Sequence, residues 1–389
     1  NFIYDIKSEG YNFLGAIGLH IFGGTSVNAY YNTVFLNNAS SNASKESAAL
    51  KIGGTFAVGV NTVDLRNNIF VNLTNVTNGT RAVAHYRTGD GTVNYSNTNN
   101  NLYYTGATGP KNLIYYAKTS SYEFSDRTIN DYKTRVSTFD QNAVWEYPPF
   151  ISTTGTMDLH LNSSTTTQCE SGGQRITSPI AITNDFDSDI RFGEAGYGGT
   201  GTAPDIGADE INGTKDLNPP LIGDYTVGVS GSFSNISDAI TKLNQSGVGG
   251  PVRFLLTDNF YFIFPLTIDI LRSSLPNADN PFTIKPYTGV SPAIYSMMPS
   301  QSLLKLYGAD FIIIDGSNTT GGITKDMTFN ASGETAIWMS SKSSSNGATN
   351  NIVKNCIIKV SDLNPSLNYG IIIGGGTNTT DASEFPNTN

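Results

Sequence analysis

The sequence predicts an all-β protein, a right-handed parallel β-helix (a solenoid) closed by short capping helices. Three observations carry that prediction. Short strand-like stretches, each entered by Asn, recur at a near-constant interval through the first hundred residues. Across 389 residues Gly (40), Tyr (20) and Phe (20) are abundant, a mix that favours turns and aromatic-rich strands. Long runs of Ala, Leu, Glu and Lys, which build helical proteins, are absent.

The interval is set by "NTVFL" (32–36), "NNIFV" (67–71) and "NNLYY" (100–104). Their first apolar residues, Val34, Ile69 and Leu102, lie 35 and then 33 residues apart, and Phe2 of "NFIYD" lies 32 before Val34. Second strands follow in "IGLHIFGG" (17–24), "AALKIGG" (48–54) and "AVAHYRTG" (82–89). A fixed period of this size marks a solenoid, whose repeats each cover the apolar face of a neighbour. No helix-period segment separates the strands, which excludes leucine-rich and ankyrin-like arrays. The competing architecture is a β-sandwich with coincidental Asn-rich turns. Asn suits the strand entrance because it tolerates a left-handed corner and its amide can bond the Asn one coil away. Strand alternation then predicts Val34, Ile69 and Leu102 at equivalent inward positions.

Two segments have helical period. "SNISDAITKLN" (234–244) places Ile236, Ala239, Ile240 and Leu243 on one face, with Ser234 as N-cap. "TINDYKTRVS" (128–137) aligns Ile129, Tyr132 and Val136. A solenoid needs lids over its open ends, and the 234–244 helix is placed to be one.

Three stretches resemble the large secreted right-handed parallel β-helix proteins of Gram-negative bacteria, of pectate-lyase-like fold, many exported by the type 9 route. The segment 225–261, running from "YTVGVSG" through the helix and "GVGGPV", resembles the opening of such a domain. "FIIIDGS" (311–317) and "NNIVKNCIIKV" (350–360) resemble its middle. "YPPFIST", "DLHLNSS", "DFDSDIRFG" and "PDIGADEI" resemble its close. The order is therefore inverted: 1–212 resembles the C-terminal half of one β-helix with its closing cap, 213–220 a linker, and 221–389 the N-terminal half of the next. Joining the tail "FPNTN" to the head "NFIYD" gives "NTNNFIYD", close to "NTNNNLYY" at 97–104. The expectation is one period of a tandem or head-to-tail array whose partners are copies of itself. The resemblance implies an extracellular, cell-surface location and no required cofactor.

Only 14% of residues are charged, with a net charge of −9 and a pI near 4.8. Such a surface repels phosphate backbones, so no nucleic-acid partner is expected. No apolar run reaches the ~18 residues of a membrane span, so no membrane insertion is expected either. The chain opens on Asn1 in a strand-like stretch, which predicts a processed or excised chain. Cys169 and Cys356 lack metal-ligand spacing and are expected as buried free thiols.

Candidate chemistry is sparse. Asp185, Asp187 and Asp189 alternate in "NDFDSDIRFG", a spacing that brings three carboxylates onto calcium where the backbone turns. The Gly and terminal Glu of a helix-loop-helix calcium site are missing, and Arg191 could neutralise a carboxylate, so a structural turn competes. Asp205, Asp209 and Glu210 of "PDIGADEI" are expected to bond loop amides and cap the last coil. His20, His85 and His160 are dispersed, as packed or corner residues. No nucleophile motif, phosphate loop or metal-ligand cluster is legible. The expected function is a structural or adhesive module of a surface fibre or sheath, without catalysis. The rival is a carbohydrate-active β-helix enzyme or a glycan-binding adhesin for cell-surface polysaccharide, with Tyr103, Tyr104, Tyr115 and Tyr116 as candidates for sugar stacking.

Overall fold

A computed structural model describes residues 1–7, 14–37, 46–53, 60–76, 81–88, 94–106, 109–119, 121–271, 275–298, 301–332, 335–361 and 368–376. The junction of "FPNTN" with the head falls outside the described residues. The chain is an all-β solenoid of about 10 turns with two short helices among the described residues. It divides into two compact units, Asn1–Pro219 and Pro220–Asn389.

In the first unit the coils have three sides. Phe2–Ile3, Thr33–Leu36, Ile69–Asn72 and Leu102–Tyr104 stack in parallel as one sheet. Leu14–Ile21, Glu46–Ile52, Ala82–Thr88 and Asn112–Lys118 form the second, which Glu123–Asp126 ends in antiparallel sense. Gly24–Tyr30, Val60–Arg66 and Asn94–Tyr95 form the third.

The corners use neighbouring residues for two separate jobs. Tyr31, Asn67 and Asn100 take the left-handed conformation, with φ of 53°, 58° and 59°. The next residue turns its amide inward: Asn1 Nδ2 donates to Asn32 Oδ1 (2.8 Å), Asn32 to Asn68 (2.9 Å), Asn68 to Asn101 (2.9 Å) and Asn101 to Asp140 Oδ1 (3.1 Å). The ladder oxygens of Asn68, Asn101 and Asp140 also accept the backbone N–H of the rung before them, as from Asn32 to Asn68 (3.0 Å). The ladder has a direction, and an acceptor-only carboxylate closes it. The second unit repeats the device: Phe311 and Asn350 are left-handed, and Asn351 Oδ1 accepts the Ile312 N–H at 2.9 Å.

This division of labour corrects the expected register. Asn32 aligns with Asn68, so Thr33 pairs with Ile69 and Val34 with Phe70. Ile69 and Leu102 therefore share a row that Val34 does not join. Val34 points into the coil, beside Gly18, and Phe70 stacks on Tyr103 there at 5.7 Å. Ile69 and Leu102 face outward, yet they are fully buried because residues 144–216 fold back over them.

Both helices form close to their expected places. The first, α1 (Ile129–Val136), starts with a reciprocal capping box between Thr128 and Asp131 and buries Ile129 and Tyr132. It packs on the last coil's strands beside the antiparallel strand, so lid and reversed strand together close that end.

In the second unit Leu221–Val227, Val248–Leu256, Phe282–Pro286, Ile312–Asp315 and Ile352–Lys354 form one side. Phe260–Ile263, Ala293–Ser296, Met327–Ala331 and Cys356–Val360 form the second. Leu266–Ile268, Leu304–Tyr307, Thr335–Ser340 and Tyr369–Ile373 form the third. The helix α2 (Ile236–Ser246) buries Ile236, Ala239, Ile240 and Leu243 over the first coil. Its N-cap is Asn235, one residue after the expected Ser234; Ser234 bonds the Asp238 carboxylate instead (2.9 Å).

Candidate functional site

The chemistry-bearing residues gather in the segment 144–216, which lies along the outer face of the Thr33/Ile69/Leu102 sheet. The sheet explains why it lies there. Its outward row holds Phe35, Ile69, Val71 and Leu102, and leaving it in water would forgo about 1.5–3 kcal/mol per large side chain. Leu159, Leu161, Cys169 and Ile206 pack on that row. Polar bonds set the register: Gly207 N–H to Asn67 O (2.8 Å), Ala208 N–H to Thr33 Oγ1 (2.9 Å) and Asn67 Nδ2–H to Gln174 O (2.7 Å). The Asn67 and Asn100 side chains, free of the ladder, thus hold the covering segment. The "PDIGADEI" run seals a flank rather than the last coil.

Its carboxylates bond loop amides, as expected. Asp205 accepts the N–H of Ser171 (2.6 Å) and of Ile211 (2.8 Å), and Asp209 that of Leu161 (2.7 Å). Burial, then Glu210 and Glu170 nearby, pushes Asp205 up to about 8. Glu146 is likewise pushed up to about 7 by burial while it accepts from Thr167 and Gln168. Arg191 lies inside the segment, bonded to Glu210 (2.9 Å) and over the Tyr31 ring at 3.8 Å, so its partner is not one of the three alternating aspartates.

Those aspartates separate by role. Asp185 organises the turn: its Oδ1 accepts the N–H of Asp187 (2.9 Å) and Asp189 (2.8 Å), and its Oδ2 that of Glu210 (3.0 Å). Asp187 turns to His160, whose Nε2 lies 2.7 Å from its Oδ2. The other ring nitrogen, Nδ1, meets Asp158 at 2.5 Å. Asp209 completes the group, and the ligand-type atoms of His160, Asp187 and Asp209 all lie within 4.8 Å of one another. Burial alone would lower the His160 pKa, but the bonds to Asp158 and Asp187 outweigh it and raise it. The His160 ring also meets Phe2 edge-on at 4.7 Å, and Phe186 lies 4.5 Å from Phe2. Sequence spacing could not find this group. Its members come from a strand, a turn and the final loop, joined only by the fold-back.

The remaining histidines serve structure. His85 is fully buried beside Tyr103 and Tyr115, and burial pushes it down to about 3. His20 bonds Gly53 O at 2.8 Å. Cys169 is a buried free thiol, whereas Cys356 is a partly exposed one. Of the aromatic residues expected to stack sugars, Tyr103, Tyr115 and Tyr116 are buried, and Tyr104 packs on Trp145 and Tyr147. Exposed rings lie elsewhere. Tyr122 and Phe124 border a cleft of about 400 Å³, lined also by Arg87, Tyr95, Tyr115 and Arg135. Among the described residues no helix is long and apolar enough to cross a membrane.

Comparison of the chain with known protein families, with curated proteins and with solved structures gives no significant match.

Proposed function

We propose that the chain is a structural or adhesive module of an extracellular array, in which the open coil of one copy covers the open coil of the next. One observation carries this reading. Among the described residues each unit has a lid over one end of its stack and, at the other, parallel strands to which no further strand is paired. In the second unit the strands Ile352–Lys354, Cys356–Val360 and Tyr369–Ile373 form the far edge, and Ile352, Ile357, Tyr369, Ile371 and Ile373 are exposed there. The coil before it is buried throughout Thr335–Ser340. In the first unit the bare edge is Phe2–Ile3, Leu14–Ile21 and Gly24–Tyr30, with Tyr4 and Phe22 exposed nearby. Parallel edges of this kind template another strand, and a contact between two different edges propagates head to tail.

Sedimentation and negative-stain microscopy of the full chain test the reading. It predicts concentration-dependent filaments that Ile371→Lys with Ile373→Lys abolishes. A chain that stays monomeric at high concentration overturns it. Secretion by the type 9 route and pectate-lyase-like kinship belong to the same proposal, supported by the resemblance of the closing motifs. A second reading, glycan binding without catalysis, draws on the Tyr122/Phe124 cleft with its two arginines. Retention of acidic polysaccharide by the chain but not by a Tyr122→Ala/Phe124→Ala variant checks it, and reducing-end release would instead mark an enzyme.

A further inference from the structure

We propose that His160, Asp187 and Asp209 bind a first-row divalent cation of the zinc class, with Asp158 orienting the histidine. The site is independent of array formation. His160 presents Nε2 toward Asp187 while Asp158 holds Nδ1, the carboxylate–histidine arrangement that fixes the tautomer and raises the basicity of a metal-binding imidazole. The three donor atoms lie within 4.8 Å of one another, close enough for small side-chain shifts to bring them to the ~3.3 Å mutual spacing of ligands around a tetrahedral ion. Asp209 reaches the same group from the final loop. The residue is only 7% exposed, and one carboxylate oxygen accepts the Leu161 N–H. Among the described residues nothing donates a hydrogen bond to its other oxygen.

The charge balance favours a cation. Asp158, Asp187 and Asp209 surround a single imidazole, and among the described residues no Lys or Arg forms an ion pair with any of them. A bound divalent ion would offset that excess. The donor set decides the class: an imidazole nitrogen with two carboxylates suits Zn²⁺, Co²⁺ or Mn²⁺, whereas calcium prefers oxygen alone. The alternating aspartates face different partners: Asp185 accepts the backbone N–H groups of Asp187, Asp189 and Glu210, and Asp187 faces His160. The ion would clip the strand Asp158–Leu161, the 185–189 turn and the final loop together beside Phe2.

Titration calorimetry with Zn²⁺, and the visible spectrum with Co²⁺, use the full chain without a histidine tag. One ion per chain is expected. His160→Gln and Asp187→Asn should each weaken binding at least tenfold, Asp158→Asn by about 10- to 100-fold, and Asp189→Asn not at all. Circular dichroism checks that each variant is folded. Absence of Zn²⁺ and Co²⁺ binding overturns the proposal, as does binding that His160→Gln and Asp187→Asn leave unchanged. Preference for Ca²⁺ over Zn²⁺ overturns the assigned class.

Discussion

Replacing Asn68 with Ala interrupts the ladder at its fully buried middle rung. The Asn32 N–H loses its acceptor at 3.0 Å, a buried orphan worth about 1–3 kcal/mol. The Asn68 amide bonds to Ala29 O (2.8 Å) and Asn101 Oδ1 (2.9 Å) also vanish, at about 1 kcal/mol each. The sum is about 3–5 kcal/mol, a large part of a domain's usual stability of about 5–15 kcal/mol. Asn1→Ala removes a rung that water reaches and should cost about 0.5 kcal/mol or less. Asn68→Asp keeps the acceptor but aims a second oxygen at two others, so it should be at least as damaging as Ala. Urea unfolding followed by fluorescence reads this cleanly. Trp145 and Trp338 are the protein's two tryptophans, one in each unit, so a Trp338→Phe background isolates the first. A loss below about 1 kcal/mol for Asn68→Ala, or a neutral Asn68→Asp, would refute the directional ladder.

Asp205 and Glu146, pushed up to about 8 and 7 by burial, hold protons in the folded state that the unfolded chain releases above about pH 4. Their contribution therefore falls as pH rises. His85, pushed down to about 3, acts in the opposite direction, and only below its unfolded pKa of about 6.5. The first unit's urea midpoint should thus drop between pH 6.5 and 8.5, and Asp205→Asn should flatten that slope. Asn235→Ala should cost the second unit about 1 kcal/mol by loss of its cap. Ser234→Ala should cost little; equal effects would restore Ser234 as the cap. Burial raises the Cys356 thiol to about 12 and Cys169 well above its usual range. An aromatic disulfide reagent at pH 8 should modify Cys356 slowly and Cys169 only on unfolding.

The period and the fold were legible because each coil repeats one corner, and the apolar face of α2 was legible because it follows helical spacing. The register was not. "NNIFV" and "NNLYY" carry two adjacent Asn residues with different jobs, whereas "NTVFL" carries one after Tyr31, so aligning first apolar residues slips a position. Inward and outward faces could not be told apart either, because both rows of Thr33–Leu36 and Ile69–Asn72 are buried. That burial depends on a segment more than a hundred residues downstream of the first coils. The His160 group was hidden for the same reason: His160 and Asp187 are 27 residues apart and meet only through the fold-back.

The covering segment also imposes an order of events on folding. Each rung of the stack pairs with residues roughly one coil away, so the coils can grow locally. Phe2 meets Phe186, however, and Thr33 meets Ala208. Such distant closures are late and slow steps. On the ribosome, the row of Ile69, Val71 and Leu102 must wait for Leu159, Leu161, Cys169 and Ile206 to emerge, the last of them 104 residues beyond Leu102. In that interval the uncovered row is exposed to association with neighbouring chains.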